Sequence, residues 1–180
     1  MASRPKSIRC AAVQTGQQYW DKEGNIARAA PLIKEAASKG AKLILLPELF
    51  AGYAYTSSFW ETAERIPEGQ SCRFLCELAA TLQVHVGACI LEADGEHFFN
   101  TFILAGPSGE VLGTVRKQQP AALEALYFAP CVGPHVIDCT ASLGLRVGVG
   151  ICYENQVITT HHRMPPPPAT THHHIIYIYS

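Results

Sequence analysis

Short apolar runs alternate with stretches of helical period along the first 156 residues of this 180-residue chain. Ile8 to Gln14 reads as a buried strand. Asn25 to Ser38 then places Ile26, Ala29, Ala30, Ile33, Ala36 and Ala37 at helical spacing, with Gly40 as a stop. Pro31 lies inside that helix, where it is predicted to kink it or to delay its start to the residues just before the proline. Leu43 to Leu46 is wholly apolar and ends at Pro47, as expected of a strand buried on both faces. Strand, helix and strand in this order predict a βαβ unit with parallel strands.

After an aromatic and polar loop from Phe50 to Trp60, Ser71 is a candidate cap for a helix whose one side carries Phe74, Leu75, Leu78, Ala79 and Leu82. A strand from Val84 to Leu91 follows. Asp94-Gly95 and Pro107-Ser108-Gly109 then mark turns into Phe98 to Ala105 and Val111 to Lys117, an antiparallel meander. Val136 to Cys139 and Leu145 to Ile151 complete the strands. The fold class is α/β, a mixed sheet with helices on one side.

The pattern breaks at about Val157. Residues 157–180 hold the four prolines Pro165 to Pro168 and the histidines at 161, 162, 172, 173 and 174, so the domain is expected over 1–156 and a disordered tail over 157–180. Ile175 to Tyr179 is β-prone but isolated in the sequence, and the tail histidines are weak candidates for metal binding.

Composition narrows the partners. The 14 basic and 15 acidic side chains give no field that would draw the chain to nucleic acid or an anionic membrane. A small, nearly neutral substrate fits better. The N-terminus lacks the pattern of a secretory signal and no apolar stretch reaches the length of a membrane span, so a cytoplasmic protein is expected. The seven cysteines are odd in number and include no C-x-x-C pair, which matches neither a disulfide framework nor a zinc site. No cofactor motif accompanies them.

The chemistry concentrates where buried strands end. Glu48 follows Leu43 to Leu46, Lys117 follows Val111 to Val115, and Cys152 follows Val147 to Ile151. Ligands collect beyond the carboxyl ends of strands in open sheets, so a carboxylate, an ammonium and a thiol could meet there. Such a set suits acyl transfer: the carboxylate takes the thiol proton, and the ammonium with the Tyr153 amide stabilises the tetrahedral oxyanion. Each residue also has an ordinary reading. Strand-end cysteines are commonly core filler, a glutamate after proline is commonly a solvated loop residue, and an edge-strand lysine commonly discourages aggregation.

Three ordered segments carry a resemblance. Lys42 to Phe50, Val115-Arg116-Lys117 and Gly148 to Asn155 resemble the signature blocks of the carbon–nitrogen hydrolase (nitrilase) superfamily, and the likeness covers residues 8–156. It implies the N-terminal part of an αββα sandwich and a Glu-Lys-Cys triad at Glu48, Lys117 and Cys152. Glu124, ahead of Tyr127-Phe128-Ala129-Pro130, is similar to the family's second glutamate, which would orient the lysine or substrate. Gln118-Gln119-Pro120 and Pro130-Cys131 depart from the family pattern beside the pocket. The implied activity is hydrolysis of non-peptide carbon–nitrogen bonds in an amide, carbamoyl group or nitrile, through a cysteine thioester. Tyr153 fits amidases at least as well as nitrilases. The lipoprotein acyltransferase branch requires membrane spans that the chain lacks. Family members also continue well past the cysteine, so this chain is expected to be a truncated member with open strand edges, marginally stable on its own and assembling as a homo-oligomer or on a full-length family subunit. The competing expectation is a catalytically silent product that docks on such subunits.

Overall fold

The computed structural model describes residues 7–52, 57–156 and 174–178. Five strands form one mixed sheet in the order β1-β2-β3-β4-β5. These are β1 (Cys10–Ala12), β2 (Leu43–Leu45), β3 (His85–Asp94), β4 (His97–Ala105) and β5 (Val111–Arg116). The first three run parallel, connected by helices α1 (Lys22–Ser38) and α2 (Gln70–Leu82), and β3 to β5 are the expected antiparallel meander.

Helix α1 starts earlier than its apolar period suggests. Asp21 accepts the Gly24 amide at 3.1 Å and sets the start, and the helix runs unbroken across Pro31. Ser71 is not the cap of α2. It lies inside the first turn, where both its amide and its hydroxyl donate to the carboxylate of Glu64, at 2.7 Å each. A buried acid reaching in from the preceding loop thus satisfies the helix N-terminus, and Lys22 balances its charge at 2.7 Å.

The last strands correct the single sheet read from the apolar runs and agree with the two β layers that the family resemblance implies. Here β6 (Val136–Cys139) and β7 (Leu145–Ile151) pair with each other and not with the first sheet. The reason lies in the alternation of β2: Ile44 and Leu46 pack under the helices, whereas Leu43 and Leu45 point to the opposite face and need their own cover. Ile137, Cys139, Val147, Val149 and Ile151 supply it, so the layers are helices, sheet and second sheet. The sheets approach closely where Gly113 faces Ile137, since a Cβ at that glycine would stand 2.9 Å from the isoleucine side chain.

The tail segment that is isolated in sequence is paired in space. His174–Ile178 forms β8, parallel to β7 with Val147 opposite His174 and Ile151 opposite Ile178. Forming strand backbone there satisfies an edge of β7 that would otherwise be open. The expectations for 157–173, 179 and 180 lie outside the described residues. Among the described residues, no helix is long and apolar enough to cross a membrane.

Candidate active site

The ends of β2 and β5 and the loop after β5 deliver three charged side chains to one point. Pro47 follows the parallel strand β2, Glu48 comes next, and Leu49 turns the chain with φ of 51°. Lys117 directly follows β5, its amide donating to Asn100 O at 2.8 Å. Glu124 sits in the short 3-10 turn Ala122–Leu126, where Oε2 accepts the Ala121 amide at 3.0 Å.

Lys117 Nζ donates to Glu48 Oε1 at 2.8 Å and to Glu124 Oε2 at 2.6 Å. The ammonium is 1% exposed and both glutamates are 8% exposed, so the cluster is effectively dry. Burial opposes the charge on Lys117 most strongly. The nearby charge of Glu48 and the hydrogen bonds to both glutamates outweigh it and hold the ammonium above its ordinary value. A buried cation of this kind persists only because two carboxylates compensate it.

Cys152 opens the 3-10 turn Cys152–Gln156 at the end of β7, half-buried, with φ of 51°. That left-handed backbone is unfavourable for a residue with a side chain and occurs where surrounding contacts enforce it. Glu154 anchors the chain beside it. Its fully buried carboxylate accepts the Ile151 amide on Oε2 at 2.9 Å, and the Gln118 and Gln119 amides on Oε1 at 2.5 and 3.2 Å. One side chain therefore fastens the residue before the thiol to the two residues after Lys117. The Tyr153 side chain points outward, 48% exposed.

Three other thiols, Cys72, Cys89 and Cys139, are poor nucleophiles by environment. Burial pushes Cys72 up to about 12 and Cys139 up to about 11. Burial also raises Cys89, which lies beneath the cluster and feels the charges of Glu48, Lys117, Glu154 and Glu124. A group raised in this way stays protonated and unreactive at neutral pH.

The structure thus joins Glu48, Lys117 and Glu124 directly, and brings the Cys152 turn to the lysine loop through Glu154. Sequence reasoning passed over Glu154 and Asn100. Asn100 Nδ2 donates to Glu48 Oε1 at 2.6 Å and to Glu124 Oε1 at 3.3 Å. A signal existed for Asn100: an amide is a poor strand residue, yet it stands inside the apolar run of β4. For Glu154 the signal was only its place two residues after the thiol.

Residues 9–172 match the family model described as carbon-nitrogen hydrolase. The chain is 36% identical to a nitrilase from Pyrococcus abyssi, over 82% of this chain and 56% of the relative. It is 34% identical to an omega-amidase from Homo sapiens, over 82% and 55%. Among solved structures, Saccharomyces cerevisiae Nit3, a member of the nitrilase superfamily, aligns with a TM-score of 0.74 at 28% identity, covering 85% of this chain and 58% of that one. The chain spans about half the length of the curated relatives it matches.

Proposed function

The chain belongs to the carbon-nitrogen hydrolase family, and on that premise we propose that it hydrolyses a small amide, carbamoyl compound or nitrile through a thioester on Cys152. The observation that carries this is the buried Lys117 held between Glu48 and Glu124, with the Cys152 turn fastened to the same loop. Asn100 and Lys117 both donate to Oε1 of the Glu48 carboxylate, and Oε2 is the oxygen assigned to proton transfer.

For an amide the steps balance as follows. Glu48 takes the Cys152 proton and the thiolate attacks the carbonyl carbon, moving the π pair onto oxygen. Lys117 and the Tyr153 amide stabilise that oxyanion, a donor of this kind being worth about 3 to 4 kcal/mol. The tetrahedral centre collapses, the carbon–nitrogen bond breaks, and the nitrogen leaves as ammonia with the proton from Glu48. Water then attacks the thioester while Glu48 takes its proton. That proton passes to the sulfur as the carbon–sulfur bond breaks, releasing the acid. Glu124 holds Lys117 in place throughout.

Amides are favoured over nitriles as substrates because Tyr153 follows the thiol and several relatives are omega-amidases. A cytoplasmic, reducing compartment belongs to the same proposal, since the seven cysteines are odd in number and include no C-x-x-C pair, as suits reduced thiols. The test is ammonia release from a panel of ω-amides, simple amides and aliphatic nitriles. Wild type is expected to release ammonia from at least one ω-amide and Cys152→Ala from none. Equal release by the two would overturn the mechanism.

A further inference from the structure

Antiparallel register explains why an amide stands beside the lysine. Thr101 pairs with Arg116, so Asn100 lies opposite Lys117, and the Lys117 amide donates to its carbonyl at 2.8 Å. Residues directly opposite on antiparallel strands project to the same face, which puts the Asn100 side chain among the charges. Its two neighbours are carboxylate oxygens, which only accept. The Nδ2 end must therefore face Glu48 and Glu124, and the side-chain orientation is fixed.

We propose that Asn100 is a positioning residue for the reaction, an inference that rests on the Glu48, Lys117 and Cys152 roles given above. Asn100 and Lys117 both donate to Oε1 of Glu48. Together they stop the carboxylate from rotating and keep Oε2 presented as the base. The second Nδ2 proton goes to Glu124, so one neutral group steadies both acids without adding charge. The other end of the amide argues against a purely structural role. Asn100 Oδ1 is buried and has no hydrogen-bond partner among the described residues, a costly arrangement that a residue selected for stability alone would avoid.

Neutrality is the property to test. Asn100→Asp puts a third carboxylate beside one ammonium, which adds negative charge that opposes a thiolate, and Asn100→Ala frees Glu48 to rotate without changing charge. Iodoacetamide alkylation, followed site by site by peptide mass spectrometry from pH 5 to 9, reads Cys152 directly and needs no turnover. The exposed Cys10 serves as the internal control.

Relative to wild type, Asn100→Asp is expected to slow Cys152 alkylation at pH 7 by about tenfold. Asn100→Ala is expected to slow it by roughly threefold. Cys10 is expected to react unchanged in both. Glu48→Gln separates the two ways of failing. If Glu48→Gln changes the Cys152 rate in either direction and both folded Asn100 variants match wild type, the Asn100 role is wrong and the triad stands. If Glu48→Gln also matches wild type, the triad itself is wrong and the Asn100 role falls with it. Should Asn100→Asp not fold, Asn100→Ala alone decides.

Discussion

At the scale of single residues, the cluster balances one buried cation against two buried anions. Lys117 is 1% exposed with carboxylates at 2.8 and 2.6 Å, so its removal leaves two acids without their cation. Breaking a buried pair from one side costs about 3 to 5 kcal/mol, far more than the usual value of a surface pair. Lys117→Met, which keeps the length of the side chain, is therefore expected to lower stability by about that amount and to cut turnover at least a hundredfold. Urea unfolding measures the first and ammonia release the second. An unchanged urea midpoint would mean that the three groups do not carry these charges.

At the scale of elements, the two sheets are tied by polar contacts as well as by packing. His85 on β3 lies against the turn that joins β6 to β7. Lys42 O accepts from Nδ1 at 3.2 Å, which leaves Nε2 to accept the Ser142 hydroxyl at 2.8 Å. Acceptance from Ser142 requires the neutral ring. Burial, partly opposed by the bond to Lys42, lowers the value of His85 below that of a free imidazole. The unfolded chain then takes up a proton at a higher pH than the native chain does. Stability from this residue is complete above the unfolded value of about 6.5 and is lost as pH falls from there through the lowered native value. Wild type is expected to lose more melting temperature between pH 7.5 and 5.5 than His85→Gln, which does not titrate. Equal losses would show that His85 has no part in the acid sensitivity.

At the scale of the whole molecule, most of the fold was legible because burial writes itself into period. The strand bounds of β6 and β7 came directly from their apolar runs, and both hairpin turns from Asp94-Gly95 and Pro107-Ser108-Gly109. What was not legible depended on contacts distant in sequence. A wholly apolar run says that β2 is covered on both faces but not by what, so the second β layer follows from the family resemblance and not from the period. The α2 cap came from Glu64, seven residues before Ser71, and a serine in the first turn looked like the cap itself. The site divides in the same way. Glu48, Lys117, Glu124 and Cys152 stand at strand ends or in recognisable sequence blocks, whereas Asn100 and Glu154 act through register and through a turn that only three dimensions bring to the lysine loop.

Every step of the proposed chemistry passes through a covalent bond between Cys152 and the acyl group. That bond is open to direct observation. The protein is mixed with an ω-amide, quenched in acid within the first turnovers, digested, and the peptide containing Cys152 is weighed. The prediction is an added acyl mass on Cys152 in wild type and on no cysteine in Cys152→Ala. Ammonia released with no adduct on Cys152, or with the adduct on another cysteine, would contradict it.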